Sequence, residues 1–283
     1  WDTSDLSGSA LEPAAFNPYA GTSASLPKAI SILQRAVLAV KDLSSDRAAG
    51  TCFVIDADRG LLWTCSHVTP TVGQIRQIGM AAAPGQPIVW MYEARVEHST
   101  PPKPGLDGAL LRITALTGGG APLPVPLIHA DGKPLPALPL GDEAALSLPG
   151  DEPAILLGYP GITQVVTPTV GGYSNLKDYG AHGGKFLLTD STMLPGHSGG
   201  PGLNQRGQVV GWNVRDQQRW VAGAGSGKMD VTFANGVKKA VQLQVANGIN
   251  QLRPVSRLVA ELQALQRQAA IGLQGQAAID AWD

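Results

Sequence analysis

Short apolar runs separated by clusters of Gly, Pro, Asp and Ser set the pattern of this chain. Ala36-Val37-Leu38-Ala39-Val40, Ala154-Ile155-Leu156-Leu157, Gln164-Val165-Val166, Phe186-Leu187-Leu188 and Val209-Val210-Gly211 each end at turn residues, and that pattern predicts strands. Helical spacing is confined to two places. Leu26 to Leu33 reads as a short helix, and Val255, Leu258, Val259, Leu262 and Leu265 form one apolar stripe with Pro254 at the first turn. Residues 1–25 are rich in Ser, Ala and Pro without a period and read as an arm or linker. The breaker-rich stretches 84–87 and 101–105 read as loops, the second just ahead of Asp107.

Composition narrows the class. A chain of 283 residues with 43% hydrophobic content can bury a core, which excludes disorder as the main state. Its 35 glycines and 22 prolines, with few aromatics, suit many short strands and tight turns. The net charge of −1, without a block of like charges, excludes nucleic acid and anionic membrane surfaces as expected partners. No apolar run approaches the roughly 18 residues that cross a bilayer, so membrane insertion is not expected. The sequence starts at Trp1 without a basic-then-apolar leader, so any targeting segment is expected to lie outside it. Cys52 and Cys65 flank the Asp56 to Gly60 turn. They either face each other as a bridge or sit as two small buried thiols, and with no third or fourth ligand nearby in sequence a metal site is not expected.

The chemistry concentrates in Pro195-Gly196-His197-Ser198-Gly199-Gly200-Pro201. Glycines on both sides of a serine let the backbone aim amides at the reaction its hydroxyl starts, so Ser198 reads as a nucleophile, with the Gly196 and Ser198 N–H groups as an oxyanion hole. A serine hydroxyl needs a base. His67 follows the apolar run Leu61-Leu62-Trp63-Thr64, and Asp107 opens Gly108-Ala109-Leu110-Leu111-Arg112-Ile113 as the carboxylate that would orient the imidazole. The chain order His, Asp, Ser is one of three unrelated solutions to the same triad. An α/β-hydrolase places its histidine last and is excluded on that order.

These residues lie in blocks that resemble the high-temperature-requirement (HtrA/Deg) proteases of the trypsin-like superfamily. Gly50 to Gly60 followed by Thr64 to Val68 resembles the family's strand, turn and histidine block. Leu138 to Asp142, Gly158-Tyr159-Pro160, Thr189-Asp190 and Gly207 to Asn213 resemble further family blocks and occur in family order. The resemblance implies an all-β fold of two six-stranded antiparallel β-barrels with a C-terminal α-helix. It divides the chain into an arm (1–25), a first barrel with His67 and Asp107 (26–140), a second barrel with Ser198 (141–253), and a helix and tail (254–283). It implies a serine endopeptidase that acts on polypeptide through an acyl-enzyme, without a cofactor. A homo-oligomer is possible, and an extracytoplasmic or organellar setting is favoured by resemblance alone. A PDZ module usually follows in the family, whereas only about fifteen residues remain here after the helix stripe.

Two departures stand out. Gly108 replaces the family's usual Leu or Ile, and His197 replaces its usual Asn. No Ile-Val-Gly-Gly-like site precedes the first strand and no Asp stands at 197, so activation by insertion of a new N-terminus is not expected. His197 reads either as a filler of the asparagine slot or as a pH-responsive latch on the oxyanion loop. His98, His129 and His182 lack a flanking motif and read as surface or loop residues. Thr192, Met193, Leu194, Asn213 and Val214 are expected to wall the primary specificity pocket, which has no acid to hold a basic side chain, so the P1 residue should be small or medium and apolar. Substrate backbone would pair with Val214 to Asp216, with Arg215 and Asp216 at a polar rim. A catalytically quiet member, used as a binding or structural module, is the competing reading.

Overall fold

The computed structural model describes residues 26–280 apart from 84, 102–105, 120, 149–151, 162, 180–183, 217–227, 233–237 and 243–249. Helix α1 (Leu26–Leu33) leads through a 3₁₀ turn into β1 (Val37–Lys41), followed by β2 (Ala48–Asp56), β3 (Leu61–Thr64), β4 (Ile75–Ala81), β5 (Ile88–Thr100) and β6 (Gly108–Leu116). These six close into an antiparallel barrel in the order β1-β2-β3-β6-β5-β4. After an irregular link come β7 (Pro153–Gly158), β8 (Thr167–Asp178), β9 (Lys185–Thr189), β10 (Pro201–Leu203) and β11 (Val209–Asp216). A hairpin of β12 (Lys228–Thr232) and β13 (Lys238–Gln242) precedes β14 (Asn250–Pro254) and α2 (Val255–Asp280). The second barrel closes as β10-β11-β14-β9-β8-β7, and β12 and β13 form a separate two-stranded sheet. Closure leaves neither barrel an open edge. The expected double barrel with a C-terminal helix is therefore the fold.

One apolar core runs from the first barrel to α2. Phe53, Trp63, Tyr92 and Leu111 fill the first barrel, and Val255, Leu258, Leu262 and Leu265 lay the helix stripe against the same cluster. Ala154, Leu156, Tyr173, Leu187 and Leu252 belong to a smaller cluster inside the second barrel. The Glu143 carboxylate, on the link between the barrels, accepts from the Ser256 N–H (3.0 Å) and from the Ser256 hydroxyl at the start of α2. That satisfies an otherwise orphaned helix donor and sets a negative charge against the positive helix end.

Several expectations need correction. The strand expected at Gln164-Val165-Val166 begins instead at Thr167, because Gln164 has a φ of 55° and its side chain is spent on the loop. Its Oε1 accepts from Ala48 N (2.8 Å) and its Nε2 donates to Gly161 O (2.9 Å). Pro254 closes β14 and does not open the helix. Of the two readings of the cysteines the buried thiols hold: the register pairs Cys52 with Thr64, one position out of line with Cys65, and both thiols are free and buried. His129 lies in a loop as expected but is buried there, and His98 ties β5 to α2 through Glu261 Oε1 at 2.7 Å. His182 and residues 1–25 lie outside the described residues.

Gly108 also gains a physical reason. A Cβ at this position would run into the Trp63 ring, which is fully buried and meets Trp212 edge to face at 5.5 Å between centroids. The indole takes the room that a larger residue would need. Gly108→Leu should therefore lower unfolding stability by about 1–3 kcal/mol through overpacking, and Gly108→Leu with Trp63→Val should recover most of it. Denaturant titration reads both, and a single variant as stable as wild type would mean that Trp63 can move aside.

Candidate active site

Strand β3 is buried at every position, and the chain leaves it in a tight turn in which Val68 N and Thr69 N both donate to Cys65 O (3.2 and 3.3 Å). The turn swings the His67 side chain out to solvent while Ser66 and Val68 stay buried. Asp107 immediately precedes β6 with a φ of 56°, a conformation that non-glycine residues rarely hold without support. Support comes from the other barrel. Trp212 Nε1 donates to Asp107 O (3.2 Å), and Arg253 Nε donates to the preceding carbonyl of Leu106 (3.1 Å).

So held, the Asp107 carboxylate meets the imidazole. His67 Nδ1 lies 2.9 Å from Oδ2 and 3.1 Å from Oδ1, while Oδ1 also accepts from His67 N (3.1 Å) and Ser66 Oγ (2.9 Å). Burial alone would raise the Asp107 pKa, but the hydrogen bonds and charge of His67 and the bond from Ser66 outweigh it and hold the carboxyl below its ordinary range. The carboxylate is kept ionised. An ionised carboxylate can only accept, so it orients the ring by taking a hydrogen bond from Nδ1.

Ser198 sits half-buried in a turn that its neighbours define. His197 N donates to Leu194 O (2.9 Å), Gly200 N to His197 O (2.9 Å), Gly199 N to Asn213 O (2.8 Å) and Thr51 N to Ser198 O (2.9 Å). Gly196 and Gly199 have φ values of 101° and 85°, which glycine adopts freely. Among the described residues, the amides of Gly196 and Ser198 donate to no group. Pro195 O accepts from Gly161 N (2.8 Å), so across the planar trans peptide the Gly196 N–H points away from Gly161. Ser198 Oγ and the imidazole are not hydrogen-bonded to each other among the described residues.

Of the expected pocket residues, Thr192 is exposed, Leu194 half-buried, and Met193, Asn213 and Val214 are buried. Strand β11 pairs with β10 only as far as Trp212, so the segment Val214 to Asp216 keeps one side without a strand partner among the described residues. The Cys65 thiol lies close behind His67 and Asp107, with ligand atoms of all three within 4.8 Å of one another. The sequence had suggested no further ligand near the cysteines. Burial, then the Asp107 charge, raises the thiol pKa well above its ordinary value, and the S–H donates to Asn213 O at 3.1 Å. Thr51, Ser66, Trp212 and Arg253, which grip the site, carry no signal of that role in their spacing.

Residues 50–211 match the trypsin-like peptidase domain family. The serine protease HhoA of Synechocystis sp. is 41% identical over 172 residues, 58% of this chain and 36% of that protein. A DegP-like periplasmic serine endoprotease of Pseudomonas putida is 32% identical over 134 residues, 47% of this chain and 26% of that protein. The matched part spans about a quarter to a third of these relatives. Among solved structures, the HtrA-type protease AlgW with a decapeptide superposes with a TM-score of 0.55 at 19% identity, over 87% of this chain and 69% of that one, a likeness of fold. With more than half of its length matched by the family, this chain belongs to the trypsin-like peptidases and is similar to proteins named HhoA and DegP-like.

Proposed function

We propose that the protein is a serine endopeptidase in which Ser198 attacks the scissile carbonyl, His67 Nε2 takes its proton and returns it to the leaving amine, and Asp107 stabilises the imidazolium. Water, activated by the same histidine, then releases the acyl group from Ser198. The Gly196 and Ser198 amides stabilise the tetrahedral oxyanion. The observation that carries this reading is the ionised Asp107 bonded to His67 Nδ1 beside a glycine turn whose two amides have no other partner. AlgW has been solved with a decapeptide and a tripeptide, which supports polypeptide as the substrate class here. Substrate backbone would add to the free side of Val214 to Asp216 as a strand.

On the side of a catalytically quiet protein stands one observation, the missing bond between Ser198 Oγ and the imidazole. Such bonds are often long until substrate closes the site. A fluorophosphonate probe separates the readings, because stoichiometric labelling of Ser198 requires a working base and oxyanion hole. Ser198→Ala should abolish labelling and lower peptide cleavage by several orders of magnitude, with the melting temperature almost unchanged. Residual cleavage within tenfold of wild type would overturn the assignment.

Specificity follows from the walls. Met193 and Val214 are apolar and packed into the cores, and a cation placed beside them without a partner would lose its hydration. Peptide-library profiling should show Val, Ala, Leu or Met at P1 over Lys and Arg. Dominant cleavage after a basic residue would place the pocket elsewhere.

His197 fits the filler reading better than the latch. It is fully buried, its Nδ1 accepts from Leu194 N (3.3 Å), and its ring lies where a Cβ on Gly158 would sit. Burial pushes its pKa down to about 4 from 6.5. Between those pH values the unfolded chain binds a proton that the folded one refuses, so stability is full above 6.5 and falls as the pH drops toward 4. The loss is at most about 3 kcal/mol. His197→Asn should keep its activity and flatten the fall in unfolding free energy between pH 6.5 and 4, measured by urea titration across pH. An unchanged slope would show that His197 is not the group responsible.

A further inference from the structure

Thr51 belongs to the first barrel, yet its polar atoms serve the nucleophile turn of the second. It is fully buried on β2. Its N–H donates to Ser198 O (2.9 Å), its Oγ1 accepts from Tyr159 N (2.8 Å), and Oγ1 lies 2.7 Å from Gly196 O. A hydroxyl has a single proton. Tyr159 N can only donate and Gly196 O can only accept, so the direction is fixed: the Thr51 proton goes to the Gly196 carbonyl. The Thr51 carbonyl is itself held by Thr64 Oγ1 at 2.6 Å, at the end of the strand that leads to His67.

Gly196 needs such a hold. With a φ of 101° and no Cβ, its two backbone dihedrals are as free as any in the turn, and rotation about them would swing the N–H that the oxyanion requires. Two grips oppose the rotation. Gly161 N holds Pro195 O on one side, and Gly161 O is in turn held by Arg47 and by Gln164 Nε2. The Thr51 hydroxyl holds Gly196 O on the other side. Gln164 reaches back to Ala48 N from a left-handed backbone conformation, so the first grip also ends on the first barrel.

We infer that Thr51 is a positioning residue for the oxyanion donor, its hydroxyl locking the Gly196 amide toward the reacting carbonyl from across the barrel interface. The inference rests on the serine endopeptidase reading. It makes the hole a property of both barrels and ties its geometry to the strand that delivers the general base.

The test compares Thr51→Val, which keeps the shape and loses the hydroxyl, with Thr51→Ser, which keeps it. With active sites counted by burst titration, Thr51→Val should lower kcat by about tenfold to hundredfold with KM within about twofold, and Thr51→Ser should stay within about threefold of wild type in kcat. A peptide boronic acid, which mimics the tetrahedral oxyanion, should bind Thr51→Val more weakly by the factor lost in kcat/KM. A merely structural role would reduce the active fraction and leave kcat per titrated site unchanged, and that result would overturn the inference. So would an effect on KM alone, or a serine variant as impaired as the valine one. Crystal structures of wild type and Thr51→Val give a readout without turnover: a turned Pro195–Gly196 peptide supports the inference and an unmoved one overturns it. A wild-type protein that neither labels nor cleaves would defeat the endopeptidase reading by itself, and the peptide orientation would still decide the Thr51 hold.

Discussion

Each barrel holds the other's half of the site. The Trp212 indole, from the second barrel, donates to Asp107 O in the first, and Arg253 on β14 donates to Leu106 O. In the opposite sense Thr51, from the first barrel, donates through its amide to Ser198 O and through its hydroxyl to Gly196 O. These buried bonds are made between groups that would cost free energy if left unpaired. A displacement of one barrel against the other would therefore orphan several polar groups at once. The site is tied to the register of the interface more than to either barrel alone, and His67 and Ser198 sit on either side of it.

This arrangement explains how Asp107 tolerates a φ of 56°. A left-handed aspartate costs backbone energy that its surroundings must offset, and here the carbonyls of both Leu106 and Asp107 are occupied from the second barrel. The carboxylate is then fixed by three donors, Ser66 Oγ, His67 N and His67 Nδ1. Charge and geometry reinforce each other, because the same bonds that orient the imidazole lower the proton affinity of the acid against the opposing effect of burial. Arg253 itself packs over the Phe186 ring at 4.0 Å, which lets a guanidinium stay near the buried acid without disturbing the apolar layer.

Much of the fold was legible because its strands are short, apolar and bounded by breakers. β1, β7, β9 and β11 fall where the runs at Ala36 to Val40, Ala154 to Leu157, Phe186 to Leu188 and Val209 to Gly211 predicted them. Gln164 to Val166 failed for a reason that hydrophobicity does not encode: the glutamine side chain bridges the barrels and forces a left-handed turn. The β12–β13 hairpin was not expected: Lys228 to Thr232 alternates polar and apolar residues, but Lys238 to Gln242 opposite it does not. For Cys52 and Cys65 the sequence left a bridge and two buried thiols open; symmetry about a turn is not register, and the pairing, which puts Thr64 opposite Cys52, leaves the buried thiols. Residue types and chain order proposed His67, Asp107 and Ser198, and the structure brings the first two into hydrogen-bond contact. The residues that brace them come from distant segments, and only the closed barrels show that Thr51 reaches Gly196 and that Trp212 reaches Asp107.

The departure at Gly108 belongs to the same network. Trp63, on the strand that leads to His67, fills the space beside Gly108 and meets Trp212 nearly at right angles, at 82°. An edge-to-face aromatic pair contributes about 0.5–1.5 kcal/mol beyond its buried area, and it also restricts the rotamer of each ring. The Trp212 rotamer matters because its N–H is the donor to Asp107 O. A larger residue after the aspartate would displace Trp63, Trp63 would disturb Trp212, and the support of the left-handed aspartate would weaken. Glycine at 108 is therefore the small partner that lets a tryptophan pair cross the interface and brace the acid from behind.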